Sequence, residues 1–198
     1  MSNQNIVSNV SDIIDEILYS EYGEHNLLVY PDKTTLRDIY CRYCKTILEN
    51  KNNTEIVLLI PYSETSYGVK YNLRNRASIN VEKFENDGSL IIVDSLKNNF
   101  HSMNYGIYNV VLFVNHLLKD VDNDFAKKYI SIISEKGSFL PFDDHEDLLH
   151  AEMFLPSRVD LNCKAFCCYH KDKVNTMLKH QRQKLLEHHF KNMILQPS

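Results

Sequence analysis

Two apolar patterns alternate along the chain. The first is helical. Ile6, Val10, Ile13, Ile14, Ile17 and Leu18 recur at three- and four-residue spacing, which predicts a helix over residues 5–20 that Gly23 ends. The second is a short unbroken run of strand length, His25–Tyr30, closed by Pro31. Asp32 or Thr34 then offers a short side-chain oxygen to cap a helix running to about residue 50, with Ile39, Tyr43, Ile47 and Leu48 inward. Past a turn at Asn52-Asn53, Glu55–Ile60 is apolar and β-branched, the mark of a strand covered on both faces.

The alternation continues. A helix is expected over 66–75, a short strand over 79–84, and a turn at Asn86-Asp87-Gly88. Residues 89–93 form an all-apolar strand ending at Asp94-Ser95, and 108–120 an apolar helix. A strand over 129–134 and a turn at Glu135-Lys136-Gly137 come next. Residues 142–154 predict a helix that is acidic at its start, as the helix dipole prefers. A strand over 162–169, a long helix over 174–188 and a last strand over 190–195 complete the series. Strands alternating with helices through short connections predict an α/β fold, with a three-layer, mostly parallel sheet and helices on both faces. Residues 1–22 read as an N-terminal helix, and 23–198 as a single domain whose ligands belong at the carboxyl edge of the sheet.

Composition narrows the function. The 198 residues carry a net charge of −4, so nucleic acid is not the expected partner. No apolar run is long enough to suggest a membrane span, the first twelve residues lack a signal-peptide core, and a cytoplasmic protein is expected. Five cysteines in a chain of this length read as reduced thiols.

Lys33-Thr34-Thr35 after a strand invites a nucleotide reading. Anchoring a G-x-x-x-x-G-K-[ST] loop on Lys33 puts Leu27 and Asp32 where glycines are needed, and Asp32 would repel a phosphate. Leu90 to Asp94 has the form of a Walker B strand, a common pattern that also serves as a carboxylate capping a turn. Cys41 and Cys44 form C-x-x-C inside a predicted helix, and Cys163, Cys167, Cys168 and His170 match no standard metal spacing. These thiols are read as small apolar residues and no metal is expected. His145 and His150 are one residue too far apart to share an ion on a helix face, and Glu146 is placed to pair with His150 on the surface. His180, His188 and His189 fall in a basic helix read as solvated. No nucleophile elbow, carboxylate pair or cofactor loop is present, so no catalytic residue and no cofactor is assigned.

The segments His25–Tyr30, Asp147 to Glu152, Ala165 to Lys171 and His189 to Ile194 together resemble the MEDS domain. This is a sensory domain of methanogen and methylotroph signalling proteins. It looks like a degenerate RecA/KaiC ATPase fold that has lost its P-loop. His25 and Tyr30 fit the family's first strand, Glu152 its helix acid, and Cys168-Tyr169 its late strand. His170 stands where the family has Asp, and Phe190 follows His189 where Pro is usual. The resemblance implies a non-catalytic sensory or regulatory module binding a small ligand or a partner protein. Homo-oligomers are implied by analogy with RecA-like assemblies. The candidate ligand pocket is His25, Tyr30, Tyr62, Asp94 and Tyr169. The alternative is a weak NTPase using Lys33 and Asp94, or a pseudo-ATPase scaffold.

Overall fold

The computed structural model describes residues 3–7, 9–52, 54–93, 112, 116, 129–136, 145–153 and 155–196. In chain order these form β1 (Asn3–Val7), α1 (Val10–Tyr19), β2 (His25–Tyr30), α2 (Lys33–Leu48), β3 (Glu55–Ile60), α3 (Ser66–Ala77), α4 (Val81–Asn86), β4 (Leu90–Ile92), β5 (Tyr129–Glu135), α5 (His145–Met153), β6 (Cys163–His170), α6 (Lys171–Thr176), α7 (Lys179–His188) and β7 (Lys191–Leu195). All strand pairs are parallel, in the order β1-β7-β2-β6-β5-β3-β4. The α/β fold expected from the alternating pattern is therefore present. No helix among the described residues is long and apolar enough to cross a membrane.

β2 and β3 are buried at every position, which explains their unbroken apolar runs. Alternation divides their side chains between two cores. Leu28, Tyr30, Phe166, Cys168 and Met193 face α1 to α4 and pack with Ile13, Ile39, Tyr43 and Leu73. Leu27, Val29, Cys167 and Tyr169 face the other way, onto Leu148, Leu149, Val174 and Leu185 of α5 to α7.

Four expectations are corrected. Residues 5–20 are not one helix. Residues 3–7 pair with β7, and Asn9 starts α1 by accepting the Asp12 amide at 3.1 Å. Residues 79–84 are not a strand, because Asn80 caps α4 through the Lys83 amide at 3.0 Å, and Val81 and Phe84, three apart, turn inward. Residues 174–188 are two helices. The backbone is extended at Met177 and Leu178, and Gln181 reaches back to the Leu178 amide at 3.0 Å. Glu146 takes the Gln181 side chain at 2.7 Å, so its near partner is on α7 and not His150. Asp32 does cap α2, accepting the Thr35 amide at 2.9 Å. The expected helix over 108–120 lies outside the described residues except for Leu112 and His116, both helical, as does the start of the expected helix over 142–154.

The turn into β2 is tightly held. Gly23 has φ of 92°, donates to the Cys163 carbonyl at 2.6 Å and accepts from the Val159 amide at 2.8 Å. This fixes the start of β2, and with it His25.

Candidate functional site

The sheet order builds a polar centre in the α5–α7 core. β2 lies between β6 and β7, and the Phe190 amide donates to the His25 carbonyl at 2.9 Å. This brings His189, two residues ahead of β7, beside the first residue of β2, their rings 4.5 Å apart. Cys167 pairs in register with Leu27 and points to the same face as His25. α5 crosses that face and delivers Glu152, and Lys136, just past β5, reaches in from the far side. Five separate stretches of chain thus meet at one point.

His25 Nε2 lies 3.1 Å from Cys167 Sγ and 3.5 Å from Glu152 Oε2. His189 Nε2 lies 3.2 Å from the same Oε2. On the other carboxylate oxygen, Tyr169 OH donates to Oε1 at 2.7 Å and Lys136 Nζ stands 3.5 Å away. All six residues are 5 % exposed or less. His189 Nδ1 donates to the Leu185 carbonyl at 2.8 Å, so in the neutral ring Nε2 carries a lone pair towards Glu152. Glu152 Oε2, His189 Nε2 and His25 Nδ1 have no hydrogen-bond partner among the described residues.

Burial opposes every charge here, and only mutual proximity sustains any of them. Burial would raise the Glu152 pKa, but Lys136, His189 and His25 outweigh it and hold the carboxyl well below its usual range. Burial would lower Lys136, but its buried neighbours, the Glu152 carboxylate among them, keep it above its ordinary value. Dehydration lowers His25, so the ring is neutral at pH 7. Dehydration, with Glu152 beside it, pushes the Cys167 thiol well up. A cysteine beside lysine and glutamate could serve as a nucleophile, but a buried, protonated thiol is not poised for attack. Tyr169 is raised by burial and by Glu152, and remains a donor. Ligation is the chemistry this set suits: two imidazoles, a thiol and a carboxylate whose ligand atoms all lie within 4.8 Å of one another.

The carboxyl edge is built differently. Glu135 ends β5, takes the Tyr30 hydroxyl on Oε1 at 2.7 Å, and takes the Tyr62 and Ser63 amides on Oε2 at 3.0 and 2.7 Å. It therefore ties β2, β5 and the turn after β3 together. Beside it a small recess is lined by Lys33, Leu36, Arg37, Tyr40, Pro61 and Glu64, among others. Glu64 there accepts Arg37, Tyr40 and Asn72. At the opposite end of the sheet, Glu55 accepts Tyr43 at 2.5 Å and Tyr22 at 2.9 Å.

Of the residues singled out in the sequence, His25 and Tyr169 meet through Glu152. Tyr30 lies on the opposite face, and Tyr62 is half-buried at the carboxyl edge; these two share Glu135. Asp94 lies outside the described residues. His189 is not on a solvated helix face: it follows α7 and is buried. Sequence reasoning also passed over Lys136 as a turn residue and Cys167 as packing. The usable signal for His189 was its place immediately before the last strand of the resemblance.

No family model matches the chain, and no curated protein matches it.

Proposed function

We propose that this chain is a non-catalytic sensory or regulatory module, and that it receives its signal at the buried centre around Glu152. One observation carries the reading: Glu152 Oε2 and the His189 Nε2 that faces it at 3.2 Å are buried together, and neither has a hydrogen-bond partner among the described residues. Buried polar groups are ordinarily paired, and an unpaired one costs about 1–3 kcal/mol. A buried ion pair such as Lys136–Glu152 is also a weak source of stability. Such a centre makes better sense as a receptor for a ligand than as packing.

The resemblance to the MEDS domain supports this reading, since His25, Glu152, Tyr169 and His189 come from the segments that carry it. A degenerate RecA/KaiC-like ancestry fits the parallel three-layer sheet. The nucleotide alternative has less in its favour. The amide of Thr35 at the start of α2 is taken by Asp32, and the amides after β3 by Glu135. Both positions are held by the chain's own carboxylates, and a phosphate would have to displace them. The signal would leave by contact with a protein partner or a second copy of the chain.

Thermal unfolding of the purified chain against a panel of metal ions, small organic molecules and Mg-ATP tests the reading. Stabilisation by a member other than ATP, lost in Glu152→Gln and in His25→Ala, is the expected result. Stabilisation by Mg-ATP alone, unchanged in both variants, would overturn it in favour of the nucleotide alternative.

A further inference from the structure

The geometry points to a divalent transition-metal ion, zinc foremost, as the ligand of this centre, bound by His25 Nε2, His189 Nε2, Cys167 Sγ and Glu152 Oε2. This rests on the sensory reading above and names the chemical class of its signal.

Spacing is the first argument. Four-coordinate zinc sits about 2.0–2.3 Å from nitrogen, oxygen and sulfur ligands, so tetrahedral neighbours stand about 3.3–3.8 Å apart. The separations are 3.1, 3.5 and 3.2 Å, one within that spacing and two just short of it, and every pair falls within 4.8 Å. Ligand atoms this close can converge on a single ion and leave no room for an organic molecule between them.

Orientation is the second. A ligating histidine normally donates its other nitrogen to a carbonyl or carboxylate, which aims the lone pair at the metal. His189 does this through Leu185. Glu152 is arranged similarly: Tyr169 and Lys136 engage Oε1 and leave Oε2 turned to the two imidazoles. In the neutral ring His189 Nε2 turns its lone pair to Oε2 at 3.2 Å, an arrangement that either a proton or a shared metal cation relieves.

Charge is the third. As the Sγ–metal bond forms, the Cys167 thiol releases its proton to solvent. The ion with its four ligands, one thiolate, one carboxylate and two neutral imidazoles, is then neutral, and the Lys136 ammonium beside Glu152 Oε1 leaves the wider centre with one positive charge. The thiolate and imidazoles favour zinc, cobalt or nickel over magnesium and calcium, which prefer oxygen-only sets. Four protein ligands close the site, as in structural rather than hydrolytic zinc centres.

The test is reconstitution of the metal-free full chain with Zn²⁺, and with Co²⁺ as a spectroscopic stand-in. One ion per chain is expected by elemental analysis. The Co²⁺ form should show tetrahedral visible bands and a near-ultraviolet sulfur-to-cobalt band. Cys167→Ser should lose the sulfur band, whereas Cys163→Ser, a buried thiol of the same face outside the set, should keep it. Glu152→Gln and His189→Asn should each weaken Zn²⁺ by more than ~100-fold, and Tyr169→Phe, which touches only the outer oxygen, by ~10-fold. Far-ultraviolet circular dichroism identifies variants that fail to fold, and the Cys167→Ser and Tyr169→Phe pair, both near-isosteric, keeps the test decisive if larger changes unfold the chain. Absence of Zn²⁺ and Co²⁺ binding, or binding unchanged in Cys167→Ser and Glu152→Gln, overturns the metal assignment. If an organic ligand then stabilises the chain through His25 and Glu152, the sensory reading survives without the metal; if nothing does, both fall.

Discussion

Glu135 and Glu152 are both carboxylates buried in one parallel sheet, yet their surroundings are opposite. Glu135 has a donor for each oxygen: a tyrosine hydroxyl on one, two backbone amides on the other. Glu152 has a tyrosine and a lysine on Oε1, while Oε2 faces two imidazole nitrogens and has no hydrogen-bond partner among the described residues. The first is a closed joint between strands. The second is half of an arrangement that an added cation completes. Burial alone therefore does not distinguish structure from function; the completeness of the hydrogen-bond set does.

The largest effect is expected where an uncompensated charge is left behind. Glu152→Leu strands Lys136 in the core and should cost about 3–5 kcal/mol in urea unfolding of the metal-free chain. Lys136→Met combined with Glu152→Leu should recover a good part of that loss, because no charge then remains to be buried. A double variant as unstable as the sum of its parts would mean that the pair holds the fold directly, and the contrast with Glu135 would collapse.

Next in size is the alkaline limit of the whole comparison. Burial raises the thiols of Cys44, Cys163 and Cys168, with Cys163 at about 11 against an ordinary 9.0. Above pH 9 the unfolded chain gives up these protons and the folded chain retains them. Stability is thus fully present below pH 9 and falls as pH rises, by about 4 kcal/mol at pH 10 for the three together. Urea midpoints measured from pH 8 to pH 10 check this; a flat profile would mean that these thiols are hydrated in the folded state.

Glu135→Ala removes the acceptor for Tyr30, Tyr62 and Ser63. About 2–3 kcal/mol should be lost, less than for Glu152→Leu because Tyr62 and Ser63 are only half-buried and water can replace part of what goes. Zn²⁺ should stabilise this variant as much as the unaltered chain. The smallest effects belong to the two tyrosines. Tyr30→Phe and Tyr169→Phe each remove one hydroxyl bond to a carboxylate, worth about 1.5 kcal/mol. Only Tyr169→Phe should also weaken the ion, so equal losses of Zn²⁺ affinity in the two would erase the distinction between joint and receptor.

Much of the scaffold was legible in the sequence. β2, β3, β5 and β6 stand out because strands covered on both faces need runs rich in apolar residues. β1 was hidden because Ile6 keeps helical spacing with Val10 and Ile13 across a real break at Asn9. α4 was hidden because Val81 and Phe84 sit in a short segment whose polar residues fit either period. The site was half legible. His25 and Tyr169 stood out as polar groups on core strands. His189 and Lys136 did not, because their value comes from β7 inserting beside β2 and from α5 crossing above, and a crossover order leaves no trace in local periodicity. Cys167 reads as packing until its neighbours across strands are known.

Gly23 carries a consequence for how the chain tolerates change. A β-carbon there would meet the Val159 carbonyl oxygen at 2.8 Å, on a backbone whose φ of 92° already disfavours any side chain. The position lies two residues ahead of His25, so even an alanine must shift either the Val159 segment or the imidazole. In a saturation library this glycine, which touches no ligand atom, should be as intolerant of substitution as the residues of the centre themselves.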